Sequence, residues 1–153
     1  MGGKVTLASV PKLPAEMESF FQFLETEGIH YPFDKKRLLV QNGYVQYIPE
    51  GMPELKGLHI MRSGWFLGEL KKKRFEPSGA FARGLTPDVC DKVIAYPGDS
   101  EEVVRYLKCE TLQVDPNLKN GWYLICVDEF ALGWGKVSNG TLKNKYPSGW
   151  RLV

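Results

Sequence analysis

Two Asn-Gly dipeptides constrain this chain more than any other feature. Asn42-Gly43 separates Leu38-Leu39-Val40 from Tyr44-Val45-Gln46-Tyr47-Ile48, and Asn139-Gly140 separates the run Phe130 to Val137 from Thr141-Leu142-Lys143. A two-residue hairpin turn of the favoured kind needs positive φ at both central positions, which Asn and Gly tolerate best. Each dipeptide therefore predicts an antiparallel hairpin. Trp122 to Val127 is a near-continuous apolar run, the pattern of a strand buried on both faces, and Asp128-Glu129 makes the turn into the next strand. Leu58 to Met61 and Phe66 to Leu70 read as further short strands. Helices are few. Met17, Phe20, Phe21 and Leu24 fall at helical spacing between Ala15 and Gly28, and Gly28 is a natural stop. Ser78 is placed to cap a short helix over residues 79–84. Thr86-Pro87-Asp88 begins a helical turn carrying Val89, Val93 and Ile94. Asp99 or Ser100 caps a helix from Glu101 to Leu107, with its acids in the first turn as the helix dipole favours. Short strands, regular turns and few helices predict an α+β chain built around a small barrel or pseudobarrel.

Charge is unevenly placed. The net +2 conceals a segment, residues 56–85, with seven basic side chains against Glu69 and Glu76, and an acidic stretch, residues 86–116, at −4. From Phe130 to the end stand Lys136, Lys143, Lys145 and Arg151 with no acid. Two basic blocks around an acidic one suggest a patterned surface, for which a phosphate backbone is a common partner; a solvated lysine-rich face is the plain alternative. Cys90, Cys109 and Cys126 show no metal-ligand spacing and read as reduced thiols in a cytoplasmic protein, and His30 and His59 are too few for a histidine-rich site, so no metal is expected. No apolar run approaches the ~18 residues of a membrane span, and no signal peptide is evident.

Local chemistry offers no active site. No GxGxxG follows a strand, no GxxxxGK[ST] loop cradles phosphates and no GxSxG elbow presents a serine. Glu101 and Glu102 are adjacent on a helix and point to different azimuths, so they do not form a catalytic pair. Two constellations stand out instead. In the first, Lys71-Lys72-Lys73-Arg74 lies between Glu69 and Glu76, with Trp65, Phe66 and Phe75 interleaved. Read as a strand, it sets Lys71 and Lys73 on one face and Lys72 and Arg74 on the other. One pair would then meet phosphates while the other pairs with the carboxylates; an ion-paired edge strand is the structural reading. In the second, residues 132–151, glycines allow close backbone approach, Lys136, Lys143, Lys145 and Arg151 supply charge, and Asn139 and Asn144 supply polar donors. Trp134, Tyr146 and Trp150 offer rings for stacking, or serve as core plugs of a small barrel.

Together these stretches resemble the C-terminal region of RsmF-type rRNA cytosine 5-methyltransferases of the Nol/Nop/Sun group. The matching residues are Gly64, Leu67-Gly68-Glu69, Lys71-Lys72 and Arg74-Phe75-Glu76-Pro77-Ser78, then Leu132-Gly133-Trp134-Gly135-Lys136, Asn139-Gly140, Leu142-Lys143-Asn144, Tyr146-Pro147, Gly149 and Arg151, with Gly57-Leu58 and Gly121-Trp122 also in place. The resemblance spans roughly residues 20–153. Gly79 and Lys145 stand where the family usually has histidines, and Ala131 where it has proline.

The resemblance implies a PUA-like RNA-binding domain, a small mixed β pseudobarrel with short helices, preceded by a small α/β-hairpin subdomain. Residues 1–14 are then a linker or tail, 15–98 the intermediate subdomain and 99–153 the PUA-like domain. It further implies an rRNA-recognition module of an S-adenosylmethionine-dependent methyltransferase, with rRNA or a ribosomal subunit as partner and the catalytic domain in cis or in trans. The methyl-donor site and catalytic cysteines belong to that other domain, so this chain is expected to be non-catalytic and without cofactor. The expected RNA contacts are Arg62, Lys71, Lys72, Lys73, Arg74, Lys136, Asn139, Lys143, Asn144, Lys145 and Arg151, with stacking on Trp65, Trp134 or Tyr146. Two other readings remain at this point: a module docking on a methyltransferase domain through an apolar face including Phe20, Phe21 and Trp65, and a small enzyme with an unfamiliar site.

Overall fold

The computed structural model describes residues 15–48 and 64–152. The 1–14 tail, the strand expected at Leu58 to Met61, and Arg62 lie outside them. The chain divides into two compact units, residues 1–24 with 32–78, and residues 25–31 with 79–153. The sequence-based intermediate subdomain, 15–98, differs from this division by residues 25–31 and 79–98, which fall in the second unit.

In the first unit a 3-10 turn, Ala15–Met17, runs into helix α1, Glu18–Glu27, whose last turn from residue 25 belongs to the second unit. A four-stranded antiparallel sheet follows in the order β1-β2-β3-β4, with β1 Leu38–Gln41, β2 Tyr44–Tyr47, β3 Trp65–Lys71 and β4 Arg74–Pro77. Asn42 and Gly43 both adopt positive φ, 53° and 82°, as the expected turn between β1 and β2 demands. Aromatic packing joins helix to sheet. Phe20 and Phe23 lie edge-on to Phe75 at 4.9 and 5.2 Å, and Phe33 bridges Phe20 and Tyr47. Phe20 is fully buried here, so it is a core residue and not part of an exposed docking face. Trp65 is half-buried beside Phe33 and Tyr47.

The second unit holds a mixed five-stranded sheet in the order β5-β7-β8-β9-β6, a half-barrel, with β5 Val93–Tyr96, β6 Leu112–Gln113, β7 Gly121–Val127, β8 Phe130–Ser138 and β9 Thr141–Asn144. Helices α2, Gly79–Arg83, and α3, Glu101–Leu107, pack with it. The run read as buried on both faces is β7, with four consecutive buried residues from Tyr123 to Cys126. Asn139 and Gly140 form the second positive-φ turn. Ser100 caps α3, its hydroxyl accepting from the Val103 amide at 3.4 Å. One local expectation fails. Val93 and Ile94 do not continue the turn at Pro87–Val89 but form β5, parallel to β7 in the register Val93↔Leu124 and Ile94↔Ile125. Their partner lies some thirty residues on, out of reach of any local periodicity.

One face of this sheet packs Tyr123, Ile125, Val137 and Leu142 with Leu112 and with Tyr106 of α3. The glycines of β8 serve that core and not a ligand. A Cβ on Gly133 would lie 2.5 Å from the Tyr106 hydroxyl, and one on Gly135 would meet Leu142 at 2.9 Å. The Tyr106 hydroxyl, held neutral by burial that raises its pKa, donates to the Trp134 carbonyl at 2.8 Å.

Candidate nucleic-acid interface

The first basic segment is a hairpin, not a continuous strand. β3 ends at Lys71, β4 begins at Arg74 with Lys71↔Arg74 paired, and Lys72-Lys73 form the turn, Lys73 at φ 57°. Alternation of faces therefore does not apply across it. Lys71 pairs with Glu69 at 3.7 Å and Arg74 with Glu76 at 3.4 Å. Lys73 lines an open depression with Glu16 and Glu18 at the start of α1. Two of the four cations are thus paired with carboxylates of their own strands, while Lys72 and Lys73 stand exposed at the turn.

The second constellation is different. Trp122 of β7 stands opposite Lys136 of β8, which stands opposite Lys143 of β9. Directly opposed residues in antiparallel strands project to the same face, so these three form a row across the sheet. Lys145, two residues beyond Lys143, returns to that side. Its ammonium lies 5.7 Å from the Trp122 ring centroid, and that of Lys136 lies 5.5 Å away. The indole therefore sits under two cations, an attraction of its negative π-face. Lys136, Lys143 and Lys145 are exposed, and among the described residues none of them forms an ion pair.

The sequence reading placed Trp134 among the stacking rings. It is 2% exposed, packed edge-on to Phe81 of α2 at 5.6 Å and to Trp122 at 6.3 Å, and is the support beneath the platform. Tyr146 is half-buried against Tyr106 at 5.4 Å. Asn144 is occupied as well: its amide nitrogen donates to the carbonyls of Tyr106 and Glu110, and its oxygen accepts from the Tyr146 amide. With its side-chain amide engaged on three sides, it clamps β9 to the end of α3 and the loop after it. Asn139 is exposed at the turn tip, its backbone amide held by Asn120. Arg151 is exposed in the tail.

Trp122 itself was read only as part of a buried strand. The signal that marks it, the cross-strand register with Lys136, is a tertiary fact. Its placement is further set by Glu27, whose Oε1 accepts from the Trp122 amide and from Lys92 Nζ, both at 2.9 Å. The Glu27 and Lys92 side chains are 12% and 16% exposed.

The half-barrel of β5 to β9, with α3 against one face and, on the other, α2 against Trp134 beside the basic row, is a PUA-type domain. Two family models account for most of the chain: the methyltransferase RsmF PUA domain matches residues 94–152, and the RsmF rRNA methyltransferase first C-terminal domain matches residues 20–85. The chain belongs to the C-terminal region of RsmF-type rRNA methyltransferases. No curated protein matches it significantly.

Proposed function

We propose that this protein binds rRNA through the Trp122–Lys136–Lys143 row and Lys145, and that it positions the RNA for cytosine 5-methylation by a catalytic domain acting in cis or in trans. The observation that carries the reading is an aromatic ring capped by cations that no carboxylate neutralises. Such cations meet phosphates, and the ring offers a surface to a base. S-adenosylmethionine would supply the methyl group on the catalytic domain. In this chain the strand-to-helix connection from β5 to α3, Pro97-Gly98-Asp99-Ser100, has one glycine and lacks the glycine-rich pattern of a nucleotide-binding turn. The RNA-modifying role would be exercised in the cytoplasm, during ribosome assembly, and no helix among the described residues is long and apolar enough to cross a membrane. Of the apolar face the docking reading names, Phe20 is consumed by the first unit's own core, Phe21 is half-buried beneath Lys35, and Trp65 packs on Phe33 and Tyr47.

The test is binding of the purified chain to fragmented rRNA and to duplex DNA across a salt series. Log affinity for single strands falls with log salt by about 0.7 per phosphate contacted, so the three lysines set a slope of about −2. Lys143→Glu is expected to weaken binding several-fold and flatten the slope, whereas Lys72→Glu changes it little. Equal loss from both variants, or no RNA binding at low salt, would overturn the reading.

A further inference from the structure

A second tryptophan in the same unit repeats the arrangement. Trp150 lies in a 3-10 turn, Ser148–Trp150, and is 44% exposed. The guanidinium of Arg83, at the end of α2, lies 5.0 Å from its ring centroid. Tyr146 meets the ring edge-on at 5.8 Å. Gly79 leaves room behind it: a Cβ there would stand 3.2 Å from Trp150 Cζ3 and 2.8 Å from Pro147 Cγ. The tail that carries the indole is pinned by backbone hydrogen bonds, Trp150 to Pro147, Arg151 to Ser148 and Leu152 to Leu107. An indole this exposed, held on a fixed turn beside the Arg83 guanidinium and followed in the chain by the exposed Arg151, is more than a tail anchor requires. Among the described residues neither arginine forms an ion pair.

We propose that Trp150, with Arg83 and Arg151, is a second stacking position, and that its ligand is an unpaired nucleotide of RNA. A base can stack on the indole, with the Arg83 guanidinium either stacking in turn or moving to the phosphate, and Arg151 meeting the next phosphate. Bases in a duplex are already stacked on their neighbours and cannot use the ring. The contact is therefore selective for single strands and tolerant of sequence, because every base has a π-face. This position rests on the RNA-binding reading above and adds the strandedness of the ligand.

The experiment compares wild type, Trp150→Leu, Trp150→Phe and Arg83→Gln for binding a twelve-nucleotide single-stranded RNA and the same sequence as a duplex, with thermal unfolding of each variant. Leucine keeps apolar cover over Gly79 and Pro147 while removing the stacking face. The expected result is a loss of at least about fivefold for the single strand in Trp150→Leu, partial recovery in Trp150→Phe, no change for the duplex and no change in Tm. Unchanged single-strand affinity in Trp150→Leu, with Lys143→Glu still weakening binding, overturns the second position alone. A loss that is equal for single strand and duplex overturns the stacking role. Absence of binding by the wild type overturns both this and the reading beneath it.

Discussion

Replacing Glu27 by alanine should damage the second unit out of proportion to the size of the change. One carboxylate oxygen serves both the Lys92 ammonium and the Trp122 amide at 2.9 Å. With 12% and 16% of the two side chains exposed, the pair is shielded but not sealed. Removing one member of a buried pair costs about 3–5 kcal/mol, chiefly because the other charge is left without a partner. Residual solvent at Lys92 places Glu27→Ala at the lower end, about 3 kcal/mol, which corresponds to a fall of roughly 6–12 °C in Tm for a chain of this size. Most of that cost should vanish when Lys92 is also replaced by methionine, leaving about 1–1.5 kcal/mol for the unpaired Trp122 amide. Urea unfolding of the two single variants and the double variant, followed by tryptophan fluorescence, closes the cycle. A cost below about 1 kcal/mol for Glu27→Ala, or a coupling energy within about 0.5 kcal/mol of zero, would refute the assignment of Glu27 as the clamp at the start of β7.

Two further outcomes follow from the same packing. Trp134→Ala should cost about 3–5 kcal/mol in chemical denaturation, as a buried ring removed from between Phe81 and Trp122 leaves a cavity; a loss under 1 kcal/mol would mean the ring is not the support described. Burial pushes the Cys90 thiol up to about 12 and the Cys126 thiol up to about 11, both from 9.0. At pH 8 the thiolate fraction of each is lowered about a hundredfold or more, so labelling by a disulfide reagent should be slower by that factor than in the unfolded chain. Because the folded values are raised, the stability these thiols contribute is complete below pH 9 and declines as pH rises from 9 through 11 and 12, which a pH series of urea midpoints will register.

Both Asn-Gly hairpins, the doubly buried β7, α1 and the Ser100 cap were legible in the sequence. Each depends on contacts within a few residues, where turn chemistry and periodicity leave one solution. The order of the two RsmF-type segments was legible for a different reason: long motifs such as Arg74-Phe75-Glu76-Pro77-Ser78 and Leu132-Gly133-Trp134-Gly135-Lys136 are specific as text. Composition likewise located the acid-free basic tail.

What the text could not supply was partnership at a distance. Val93 and Ile94 are a strand only because β7 lies alongside them. The four cations in a row are read as one pair for phosphates and one pair for Glu69 and Glu76. Lys71 and Arg74 do meet those carboxylates, two residues away on their own strands, but that Lys73 shares a depression with Glu16 and Glu18 is set only by the fold. Trp134 and Trp122 are equally tryptophan in the sequence. Packing under Phe81 makes the first a core support, and cross-strand register with Lys136 makes the second a half-buried platform beneath two lysines. Residue type and local spacing determined which groups this chain has available; which charges are neutralised and which ring meets solvent was decided only when the sheet set its neighbours, because Coulomb attraction and burial depend on distance in space and not on distance along the chain.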